Sequence, residues 1–112
     1  MVSEQAKAPA YKVKHIEPVV KGSDVVVRVF TLAPGEVIPW HYHRETTDHY
    51  FVLDGMVSIS AREPDVKQWS LRVGSSHKIK PGTPHLVANG GDTDCRFLLV
   101  QGVGAYDWMA AR

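Results

Sequence analysis

Apolar and polar positions along this chain alternate as they do in half-buried strands, and turn residues interrupt the alternation every ~8–12 residues. Val25-Val26-Val27-Arg28-Val29-Phe30-Thr31-Leu32 is a β-branched run that ends at Ala33-Pro34-Gly35. Val37 to Tyr42 resumes extended structure, and Tyr50-Phe51-Val52-Leu53 runs into Asp54-Gly55, a tight-hairpin dipeptide. Met56 to Ala61 alternates apolar with small polar side chains, and Glu63-Pro64-Asp65 turns the chain into Val66 to Val73. His85-Leu86-Val87-Ala88 follows Pro81-Gly82-Thr83-Pro84 and closes at Asn89-Gly90-Gly91-Asp92; Cys95 to Gln101 is the last clear strand. No segment carries helical spacing, and the closing Tyr106-Asp107-Trp108-Met109 is expected to form at most a short turn. The pattern predicts an all-β sandwich or barrel.

Residues 1–10, MVSEQAKAPA, lack any apolar period and read as a flexible N-terminal arm ahead of a single domain over 11–112. A chain of 112 residues buries one real core but has no room for a catalytic unit plus a DNA-reading module. The formal charge is +1 and the basic residues are scattered, so neither nucleic acid nor an anionic membrane is an expected partner. No apolar run approaches the ~18 residues of a membrane span and no secretory core is present, so a cytoplasmic protein is expected. The single cysteine, Cys95, excludes an intrachain disulfide and Cys-rich zinc modules. Its apolar neighbours favour a packed small hydrophobe over a reactive thiol.

The chemistry concentrates in Trp40-His41-Tyr42-His43-Arg44-Glu45-Thr46-Thr47-Asp48-His49. Alternation puts His41 and His43 on one face of a strand, with Trp40 and Tyr42 on the other. A hairpin through Arg44 to Thr47 brings Asp48 beside the two histidines. His85 opens another strand behind a turn stiffened by prolines on both sides of Gly82. Three imidazoles and one carboxylate make an N/O donor set with open positions, suited to a divalent transition metal such as Fe, Mn, Zn or Ni. His49 faces away from Asp48, although a one-residue shift in the turn would exchange the two. Glu45, His15 and His77 read as surface or structural residues. Tyr50 shares the parity of Asp48 and either brings a phenol to the metal or fills the core.

Two long motifs in this order resemble those of the cupins. The first family motif, G-x5-H-x-H-x3/4-E-x6-G, matches Gly35 through His41, His43 and Asp48 to Gly55. The second, G-x5-P-x-G-x2-H-x3-N, matches Gly74 through Gly82 and His85 to Asn89, with Lys80 in place of its first proline. The resemblance spans residues 25–101 and implies a double-stranded β-helix, or jelly-roll, barrel. It implies that His41, His43, Asp48 and His85 hold the metal. Asp48 stands where the family carries a longer glutamate, so it either reaches the metal or accepts a hydrogen bond from a ligand histidine, as in three-histidine cupin dioxygenases. The implied function is a metal-binding cupin, as a dioxygenase-like or isomerase-like enzyme acting on a small organic molecule. The alternative is a non-catalytic module that binds metal or a small ligand. A homodimer packed through an aromatic outer face of Trp40, Tyr42, Phe51 and Leu53 is also implied.

Overall fold

The computed structural model describes residues 11–111, so the arm expected over residues 1–10 lies outside the described residues. β-Branched and aromatic runs fold into ten strands: β1 (His15–Lys21), β2 (Val25–Leu32), β3 (Val37–Tyr42), β4 (Thr47–Asp54), β5 (Met56–Arg62), β6 (Val66–Arg72), β7 (Ser76–Ile79), β8 (His85–Asn89), β9 (Cys95–Gly102) and β10 (Met109–Ala110). They pair antiparallel into two five-stranded sheets, ordered β1-β2-β9-β4-β7 and β10-β3-β8-β5-β6. No helix among the described residues is long and apolar enough to cross a membrane.

Strict alternation decides what lies between the sheets. In β9, Cys95, Phe97, Leu99 and Gln101 are buried while the residues between them are only half-buried. Phe30, Leu32, Val52 and Ile79 join them from one sheet, and Ile38, Val57, Ile59 and Val87 come from the other. Phe30 and Phe97 stack at 5.3 Å, and each such side chain contributes about 1.5–3 kcal/mol through apolar burial. Cys95 is fully buried in this core, as its neighbours suggested.

Four features of the fold differ from the sequence expectations or lie outside them. First, β1 was not anticipated, because an edge strand carrying Pro18 and largely exposed residues shows no alternation. Second, the C-terminal segment forms a short strand, since Met109 and Ala110 pair with Tyr42 and His41. Third, β3 and β4, like β4 and β5, lie in different sheets, so Arg44–Thr47 and Asp54-Gly55 are sheet-to-sheet corners and not hairpins. Fourth, Trp40 and Tyr42 belong to one sheet and Phe51 and Leu53 to the other, so they share no outer face. Trp40 is covered by the Arg62 guanidinium at 4.2 Å.

The corner at Gly55 needs glycine for two reasons. Its φ is 71°, and an added Cβ would meet the Asp94 carbonyl oxygen at 2.6 Å. Gly55→Ala is therefore expected to destabilise the protein by about 2 kcal/mol or more. Urea unfolding checks this: the midpoint falls while the slope stays at the wild-type value.

Candidate metal centre

A cross-strand pair from each sheet builds the site. His41 on β3 lies opposite His85 on β8, and Asp48 on β4 lies opposite Gln101 on β9. A β-bulge between Ile38 and His41 resets the parity of β3, so that Ile38 and His41 both point inward although they are three residues apart. His43 follows β3 on the same side. His41, His43, Asp48 and His85 are all buried, and one donor atom from each lies within 4.8 Å of the others. The four residues singled out from the sequence are thus brought together across the barrel. His49 is half-buried on the opposite side of β4, Glu45 and His15 are exposed, and His77 packs on Trp69 at 4.3 Å.

Each histidine is held by a backbone carbonyl. His41 Nδ1 meets Pro39 O at 2.7 Å, His85 Nδ1 meets Thr83 O at 2.8 Å, and His43 Nδ1 meets Asp107 O. A carbonyl only accepts, so the proton of each neutral ring sits on Nδ1 and Nε2 presents a lone pair. The bulge at Pro39 and the proline-flanked turn at Thr83 are therefore orienting devices for the rings that follow them.

His43 and His85 turn Nε2 toward Asp48. Its Oδ2 lies 3.0 Å from His85 Nε2 and 3.4 Å from His43 Nε2, and accepts from the Tyr50 hydroxyl at 2.8 Å. Its Oδ1 accepts from Gln101 Nε2 at 3.1 Å. Burial acts to raise Asp48, yet hydrogen bonds and charge from His43 and His85 win and hold its carboxyl far below the usual range. Burial, reinforced by the proximity of His85, pushes His41 down to about 3, so this ring is neutral at working pH. Burial also acts to lower His43, but the hydrogen bond and charge of Asp48 outweigh it and the net direction is up. Tyr50 is pushed well above 10 by burial and by Asp48, and stays a phenol. A cation shared among these donors would displace the Nε2 protons of His43 and His85 and compensate the buried carboxylate, whereas neutral rings alone would leave acceptors facing an acceptor. A divalent transition metal satisfies this donor set.

The sequence reading missed four contributors. Trp108 stacks on His41 at 4.9 Å with 13° between planes, and Tyr106 lies 5.5 Å from His43. Asp107 orients His43 through its carbonyl, and its carboxylate binds the Arg44 side chain and backbone N–H. None of these has a sequence signal, because a C-terminal segment acts here through backbone and ring faces. Gln101 did carry one: it is a polar residue at the inward parity of an apolar strand. Gln101→Leu deletes the donor to Asp48 and is expected to weaken metal binding about 10–100-fold at unchanged stoichiometry. Competition against a chromophoric chelator measures it.

A family model described as "Cupin domain" matches residues 28–101. None of the curated proteins matches the sequence. An uncharacterized conserved protein with a double-stranded β-helix domain from Klebsiella pneumoniae subsp. pneumoniae MGH 78578 is similar in structure, with 27% identity, 86% coverage of each chain and a TM-score of 0.70. TT1209 from Thermus thermophilus superposes with a TM-score of 0.72 at 24% identity, covering 80% of this chain and 82% of that one. An oxalate oxidase superposes with a TM-score of 0.71 at 19% identity; the match covers 79% of this chain and spans 46% of the oxidase chain. At these last two identities the likeness is one of fold.

Proposed function

Because this chain belongs to the cupin family, we propose that His41, His43, Asp48 and His85 hold a divalent transition metal and that the protein is a metal-dependent enzyme acting on a small organic molecule. One observation carries the reading: three buried imidazoles, each donating its Nδ1 proton to a backbone carbonyl, gather with one buried carboxylate so that a donor atom of each lies within 4.8 Å of the others. A metal held by these residues would supply Lewis-acid or redox chemistry. The chain's own part is preorganisation. Tyr50 and Gln101 occupy the outer lone pairs of Asp48, Trp108 fixes the plane of His41, and the buried setting strengthens every charge interaction. Tyr50 thereby serves as a positioning residue, since its hydroxyl is already committed to Asp48.

Dioxygenase-like and isomerase-like chemistry both fit an N/O centre of this kind. Elemental analysis followed by anaerobic Fe(II) reconstitution and O2-uptake assays on enol, diketone, thiol and catechol substrates tests the proposal. One equivalent of metal with turnover supports an enzyme. One equivalent without turnover of these compounds or of aldose substrates points to the binding module instead. Metal far below one equivalent after reconstitution sinks both. Exposed Phe51 and Leu53 on the outer face of β4 support a second copy of this chain as a packing partner.

A further inference from the structure

Arg28 is a cation inside the barrel that the metal centre does not use. It lies on β2 at the inward parity of Phe30 and Leu32, and its guanidinium carbon is 5.2 Å from both the Phe30 and the Tyr106 ring centroids. Among the described residues it forms no ion pair, and its Nε is buried without a partner. Its Nη2 donates to Gln101 Oε1, on the same amide that donates to Asp48. A half-buried guanidinium held only by a neutral amide and ring faces is short of an anion.

Arg28 also lines a cavity of about 550 Å³ between the β1–β2 hairpin and residues 104–106. Lys21 is the second cation on its wall, no acidic residue among the described ones lines it, and Pro18, Val20, Val25 and Tyr106 give it an apolar surface. That volume falls within the ~300–1,000 Å³ of small-molecule sites. The planar fork of an arginine matches the two oxygens of a carboxylate. A phosphate dianion needs more donors than one fork and one ammonium, and it has no use for the apolar wall.

We propose that this cavity binds a carboxylate-bearing small molecule, with the carboxylate paired to Arg28 and the apolar body against the β1–β2 hairpin. Tyr106 is a wall shared with the metal centre, and Arg28 reaches the centre through Gln101, so the inference rests on the metal-centre reading for the statement that this ligand is the substrate. The anion site itself stands on Arg28.

Isothermal titration of the full chain, both metal-free and Zn(II)-loaded, with benzoate, succinate, benzamide and inorganic phosphate provides the test. The expected result is binding of a carboxylate in preference to benzamide and phosphate, weakened about tenfold or more in Arg28→Gln and less in Arg28→Lys. Metal content of the variants should stay at the wild-type value. The proposal is overturned if neither carboxylate binds, if benzamide or phosphate binds as tightly, if a folded Arg28→Gln protein stays within about twofold of wild type, or, where that variant does not fold, if Arg28→Lys matches wild type. Carboxylate binding that persists in a protein unable to hold metal supports the anion site while removing the metal-centre reading, so the two failures are distinguishable.

Discussion

Saturating the purified protein with Zn(II) or Mn(II) is expected to raise its unfolding midpoint by about 15 °C, and His41→Ala is expected to erase that rise. The magnitude follows from linkage: a ligand bound only by the folded state at about a thousand times its dissociation constant adds about 4 kcal/mol. In a domain near 100 residues, each kcal/mol moves the midpoint by about 4 °C or slightly more. His41 is the informative position because burial keeps its ring neutral, with a pKa pushed down to about 3. Its removal takes away one lone pair and leaves the Asp48 interactions with His43 and His85 in place. His43→Ala or His85→Ala would instead strip a partner from a buried carboxylate and confound metal loss with misfolding. Differential scanning calorimetry with and without a chelator reads the effect. An equal metal-induced rise in wild type and His41→Ala would remove His41 from the ligand set.

Phe97→Ala is expected to cost about 3–5 kcal/mol, which is a large share of the ~5–15 kcal/mol that holds an ordinary domain together. The ring is fully buried, stacked on Phe30, and 5.6 Å from the ring of Tyr50. A cavity there would loosen the wall that fixes the Tyr50 hydroxyl on Asp48. The variant should therefore lose metal affinity as well as stability, although residue 97 is not among the candidate ligands. Urea unfolding gives the first quantity and chelator competition the second. A stability loss under about 1 kcal/mol would show that this core collapses around the deletion.

Much of the fold was legible because antiparallel strands with one buried face leave a period-two record in the side chains. Val25–Leu32, Val37–Tyr42 and Cys95 onward appear in the structure with nearly the expected bounds. The elements that escaped notice are those whose side chains do not alternate: the exposed edge strand His15–Lys21, the short Ser76–Ile79 and the two-residue Met109–Ala110. Their positions are set by backbone pairing with a neighbour, which the residue pattern does not record.

For the candidate centre, residue types and spacing named His41, His43, Asp48 and His85, because a donor set of imidazoles and a carboxylate has to be spelled out in side chains. How they meet is a tertiary matter. Asp48 arrives from the opposite sheet and not through a hairpin, and a bulge at Pro39 turns His41 inward beside Ile38. Carbonyls of Pro39, Thr83 and Asp107 select the tautomer of each ring, and any residue type could supply them. The sequence by itself therefore determined the all-β class, the inward alternation and the donor chemistry, since these reside in side chains and their period. Only the tertiary structure decided the sheet partners, the orientation of the ligand rings and the place of Arg28 beside the centre, because these depend on backbone groups and contacts between residues far apart in the chain.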